Sequence, residues 1–99
     1  MTEQDLLSWA LGHYFSQWEI DRAKVILERQ SMAAAVEYLR KKAVESWCGF
    51  CGPRGIRAMI RDGKVELRHN HIGSEPDYVI DIAKFCQLKL ESLYQIKLL

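Results

Sequence analysis

The spacing of apolar residues changes twice along this chain, and the changes divide it into helix, hairpin and helix. Leu7, Leu11, Tyr14 and Trp18 recur at helical intervals, with Phe15 widening the stripe. Thr2 followed by Asp5 reads as a capped helix start, with acids where the helix dipole favours them. Gly12 lies inside this stripe, where glycine costs roughly 1 kcal/mol relative to alanine, and is expected to mark a close helix contact. The pattern continues or restarts over Asp21–Glu28, and Gln30-Ser31 breaks it, with Ser31 as the N-cap of the next helix. There Met32, Ala35, Val36, Leu39 and Ala43 form one apolar face, opposite Glu37, Arg40, Lys41, Lys42 and Glu45. Residues 1–46 are therefore expected to form a helical hairpin. Its outline also suits a helix-turn-helix, although Arg40-Lys41-Lys42 reads more simply as a solvated helix end.

The period then shortens to two. Ile56, Ala58 and Ile60 alternate with Arg57 and Arg61, and Val65 and Leu67 alternate with Glu66 and Arg68. Asp62-Gly63 between them is the signal of a type I′ turn, so a β-hairpin is expected. Beyond it, Gly73 to Asp77 reads as a loop in which Ser74 and Asp77 have capping-box spacing. Val79, Ile82, Ala83, Cys86, Leu90 and Leu93 then predict a buried helical stripe from residue 76 to residue 96. The expected fold is α+β in one domain: helical hairpin over 1–46, knuckle and β-hairpin over 47–72, and a C-terminal helix over 75–96.

Candidate chemistry is concentrated between Trp47 and His71. Cys48 and Cys51 form a C-x2-C pair, and after seventeen further residues His69 and His71 form H-x-H. Zinc takes four tetrahedral ligands from thiolate and imidazole, and a C-x2-C pair with glycines around it is the usual form of a zinc knuckle. The hairpin would carry the returning strand back to the knuckle, and histidines two apart on a strand point the same way. Cys48, Cys51, His69 and His71 are thus the expected ligands of a structural Zn2+, with Cys86 and His13 in reserve. Cys86 reads more readily as a small core residue and His13 as packing among aromatics.

Knuckle, hairpin and following helix resemble a treble clef. The order of cysteine pair, hairpin and closing H-x-H also resembles the WRKY and FLYWCH zinc fingers over residues 47–71, and that resemblance implies DNA binding. Those families spread their cysteines more widely and carry further strands. Trp47-Cys48-Gly49-Phe50-Cys51 resembles the thioredoxin active-site segment, which implies a dithiol oxidoreductase with a reactive Cys48. That family needs a helix beginning at its first cysteine, whereas Gly52-Pro53-Arg54-Gly55 stops one here. A third reading is two cysteines and two histidines with no metal at all.

Composition bounds the rest. At 48% hydrophobic and 27% charged residues the chain is too apolar to be disordered, and no run reaches the length of a membrane span. An odd cysteine count without a secreted framework suits a reducing interior, cytoplasmic or nuclear. The net charge of +1 conceals a polarity. Residues 31–72 carry eight bases against four acids, whereas residues 1–30 carry three against five. Arg54, Arg57, Arg61, Lys64 and Arg68 surround the knuckle and hairpin, and arginine forks match phosphate oxygens. No poised acid or base accompanies the ligand set, so no enzyme is expected. The leading expectation is a small zinc-binding regulatory protein that contacts nucleic acid through these cations. The alternative is an adaptor or inhibitor module that meets a protein partner, or a second copy, through Trp9 and Trp18.

Overall fold

The computed structural model describes residues 2–46, 50–52, 55–70 and 75–98, with the side chains of Ser46, Phe50, Cys51 and residues 95–98 outside the description. In chain order the elements are α1 (Glu3–His13), α2 (Gln17–Arg29), α3 (Met32–Ser46), β1 (Phe50–Cys51), β2 (Arg57–Arg61), β3 (Lys64–Arg68), β4 (Tyr78–Asp81) and α4 (Ile82–Leu98). The α+β class holds. The strands pair as one antiparallel sheet in the order β1-β2-β3-β4, with three full strands and the two-residue β1 at its edge.

Local chemistry starts each helix. The Asp5 N–H donates to Thr2 Oγ1 at 3.2 Å, and the Thr2 N–H and hydroxyl both donate to Asp5 Oδ2, closing a capping box on α1. Glu19 Oε1 accepts from the Ser16 N–H and hydroxyl at 3.1 and 2.9 Å, so α2 has its own start. The Ala34 N–H donates to Ser31 Oγ, the cap that the sequence indicates for α3.

The first forty-six residues therefore hold three helices, not two. Phe15 is buried between α1 and α2, and Tyr14 meets Phe15 and Phe85 edge-on at 4.8 and 5.2 Å between centroids. This aromatic cluster bends the chain after His13 and carries Trp18 out of the apolar stripe, leaving it 61% exposed. Gly12 faces open space and marks no close contact.

The hairpin is as expected. Asp62 and Gly63 both have positive φ, 53° and 73°, and Arg61 pairs with Lys64 across the two-residue turn. Correction is needed after it: Tyr78–Asp81 form a strand, and the last helix begins only at Ile82. Without β4, β3 would expose an unpaired edge. Val65 and Ile80 pair across the two strands, as do Leu67 and Tyr78. Val79, placed by periodicity in a buried helical stripe, is instead 45% exposed. The start of α4 is capped by Asp81, whose Oδ1 accepts from the Ala83 and Lys84 N–H groups, and not by Asp77, while Ser74 lies outside the described residues.

Helices α1 and α4 cover one face of β3 and β4, while the α2–α3 hairpin packs through α3 on α4. Ala58, Val65, Leu67 and Ile80 line the sheet side of the core, opposite Leu6, Ala10, Phe85 and Leu90. Cys86 is fully buried in this core, where loss of hydration pushes its thiol up to about 12. Among the described residues, no helix is long and apolar enough to cross a membrane.

Candidate metal and nucleic-acid site

The open end of the β2–β3 hairpin carries Cys51 and His69, one residue from each half of the expected ligand set. Cys51 pairs with Arg57, which pairs with Arg68, so two strand spacings, about 10 Å, separate Cys51 from the end of β3. The Gly52 N–H donates to the Ile56 carbonyl at 2.7 Å, turning the chain back into β2. Cys51 thus lies in a strand that leads into a turn. A thioredoxin-like cysteine motif would instead need a helix N-terminus to depress its thiol pKa. Cys48, Arg54 and His71 lie outside the described residues, as does the Cys51 side chain.

Two glycines bring distant segments to this end. Gly52 lies under the indole of Trp9 so closely that a Cβ there would fall 2.6 Å from Cε2 and nearer still to Cζ2. Gly55, at φ 77°, lies against the Asn70 backbone, where a Cβ would meet the Asn70 nitrogen at 3.3 Å. The segment that follows the cysteine pair and the one that holds the histidines therefore meet at Gly55 and Asn70. Helix α1 closes over them through Trp9, whose ring stacks on His13 at 5.5 Å. Trp9 is thus partly buried packing, whereas Trp18 is the exposed one of the two partner-interface candidates. Lys42 Nζ lies 5.7 Å from the ring centroids of both Trp18 and Tyr38, close enough for a cation–π contact.

His69 is held more tightly than its sequence position suggests. Asp77 Oδ2 accepts from the His69 N–H and contacts its Nδ1, each at 2.8 Å. Those bonds hold the Asp77 carboxyl below the usual aspartate range, the backbone N–H first and the ring after it. Strand β3 ends at Arg68, and Asn70 has φ 55°, so strand alternation does not relate His69 to His71 as the sequence argument requires. Among the described residues, no three His, Cys, Asp or Glu side chains are grouped as a metal site.

The cations are better placed. Ala58 pairs with Leu67 and Ile60 with Val65 on the helix-covered face, so Arg57 with Arg68 and Arg61 with Lys64 fall on the other. Two cross-strand pairs of like charge therefore share the face turned away from α1 and α4, where Arg61 and Lys64 are exposed and Arg68 is only 15% exposed. Its acids are already engaged: Glu66 accepts from Arg68 Nη2 at 3.0 Å, and Asp81 caps α4. Four of the five expected phosphate-binding cations thus share this face, about 13 Å separating the Arg57 row from the Arg61 row, with Arg68 held by Glu66 and largely buried.

Comparison of the chain with protein-family models, with curated proteins and with solved structures yields no match.

Proposed function

We propose that this protein contacts nucleic acid through the face of its sheet turned away from α1 and α4, and that a structural zinc held by Cys48, Cys51, His69 and His71 ties the end of that face. One observation carries the nucleic-acid reading: Arg57, Arg61 and Lys64 share one face of the sheet, with Arg61 and Lys64 opposite each other and exposed. Glu66 already offsets the charge of Arg68, whereas a phosphate lying across the exposed Arg61 and Lys64 would remove the cost of that like-charge pair. Flat cationic surfaces of this kind bind through the backbone and give affinity before sequence preference. Contact between Gly55 and Asn70, and the anchoring of His69 by Asp77, support the zinc reading. The metal's role is to fix the knuckle, not to perform chemistry.

The test is anisotropy of labelled single- and double-stranded DNA and RNA between 50 and 200 mM salt, a range over which phosphate contacts separate themselves from other binding. On B-DNA a log–log slope of about −3 to −4 is expected, and Arg57→Ala with Arg61→Ala should make it shallower by about 2. Absence of binding to all four at low salt, or binding that ignores salt, removes the proposal.

A second reading rests on Trp18, which is 61% exposed beside Tyr38 and Lys42 on the α2–α3 hairpin. An exposed tryptophan of this kind suits a protein partner or a second copy of the chain. Trp18→Ala abolishing capture of a protein partner, while Arg57→Ala with Arg61→Ala leaves it intact, selects this reading.

A further inference from the structure

Asp77 is separated from the proposed ligands by the segment between the two strands, and nothing in its sequence neighbourhood attaches it to them. In the fold it belongs to their site. Its own N–H donates to the Leu67 carbonyl at 2.9 Å, extending the β3–β4 ladder by one bond, so the main chain sets where the carboxylate stands. That carboxylate then meets His69 twice, through the backbone N–H and through ring Nδ1, each at 2.8 Å. An ionised carboxylate only accepts hydrogen bonds, so the Nδ1 contact requires the proton on Nδ1. The ring is about one-third exposed, and its Nε2 is left with the lone pair.

We infer that Asp77 is the positioning residue of the metal site, fixing His69 in the Nδ1–H tautomer so that Nε2 is the coordinating nitrogen. The inference rests on the zinc reading above and deepens it. A carboxylate behind a ligating imidazole orients the ring and raises its basicity, and its removal costs about 10–100-fold in metal affinity. At this site it has a second effect. The same oxygen holds the His69 backbone, so the ring's position and the exit of the chain from β3 are set by one group.

The experiment is 15N imidazole spectroscopy of the full chain with and without zinc, joined to zinc affinity by competition with a chromophoric chelator. Asp77→Asn and Asp77→Ala are compared with the unaltered protein. Expected in the metal-free unaltered protein is the Nδ1–H form of His69, and with zinc a shift confined to Nε2. Asp77→Ala should release the tautomer and weaken zinc by about 10–100-fold. Asp77→Asn keeps an acceptor for Nδ1–H, so it should preserve the tautomer and lose less affinity. It also serves as the folded control if Asp77→Ala loosens the loop. Zinc bound through Nδ1, or at unchanged affinity in folded Asp77→Ala, overturns this inference and leaves the zinc reading standing. Failure of the unaltered protein to bind zinc, with His69 already in the Nδ1–H form, overturns the zinc reading and this inference with it.

Discussion

The two ends of the β2–β3 hairpin are built by opposite means. At one end Asp62 and Gly63 close the chain in two residues, both at positive φ, and the Gly63 carbonyl accepts from the Ile82 N–H to seat the start of α4. At the other, the strands are held by groups brought from elsewhere: Trp9 over Gly52, Gly55 against Asn70, and Asp77 on His69. Closing a short local turn costs little chain entropy, whereas each long-range tie must offset the ordering of the segments it joins. A structural metal is most useful where the contacts are long-range and polar. The proposed zinc would stand at that second end, while the core of leucines and valines serves both ends alike.

Removing zinc should separate the ends most strongly. Structural sites contribute up to roughly 10–16 kcal/mol of apparent binding energy. Each kcal/mol is worth about 4–8 °C in a domain of this size. Even a third of that energy implies a fall in Tm of at least about 13 °C on treatment with a strong chelator, read by calorimetry. Amide exchange should rise at Gly52, His69 and Asn70 before it rises at Asp62 and Gly63. Equal rises at both ends would erase the distinction.

Next in size is Gly52→Val. The added side chain collides with the Trp9 indole, and overpacking of this kind costs about 1–3 kcal/mol. A denaturant midpoint reads the loss, and Trp9→Ala in the same chain should recover part of it. Strict additivity of the two changes would show that indole and glycine do not meet. Gly63→Ala tests the opposite end. Its φ of 73° lies in the left-handed region, so alanine should cost about 1–2 kcal/mol with no partner to relieve it.

The smallest difference between the ends is expected in alkali, because the groups that respond lie in the common core. Burial raises the Cys86 thiol from its ordinary 9.0 to about 12, and burial likewise raises the Tyr14 hydroxyl. Both groups are then favoured as neutral in the folded state. Their contribution is whole below pH 9 and is lost as pH rises from 9 towards 12. Urea midpoints should start to fall above pH 9, with far-ultraviolet dichroism and tryptophan fluorescence moving together. Divergence of the two signals would place the weak point at one end instead.

Legibility from sequence follows the same division. The hairpin, its turn, the Ser31 cap and the common face of Arg57, Arg61, Lys64 and Arg68 depend on neighbouring residues, and alternation alone reveals them. Strand β4 does not, because Tyr78-Val79-Ile80 continues the apolar spacing of α4. Only the free edge of β3 makes a strand of it. The bend after His13 depends on Phe85, seventy residues away in sequence, so Trp18 read as part of the buried stripe. Asp77 was hidden for a related reason, since its approach to His69 exists only once β4 is paired. Gly52 was readable as a special position, though its reason is the nearness of an indole and not its own backbone angle.

The most direct test of the account is the zinc content of the protein purified without added metal or chelator, measured by elemental analysis and native mass spectrometry. One zinc ion per folded chain, lost on Cys48→Ser or on His69→Ala, is the predicted result. A folded chain that carries no zinc and takes none up at micromolar concentration would contradict it.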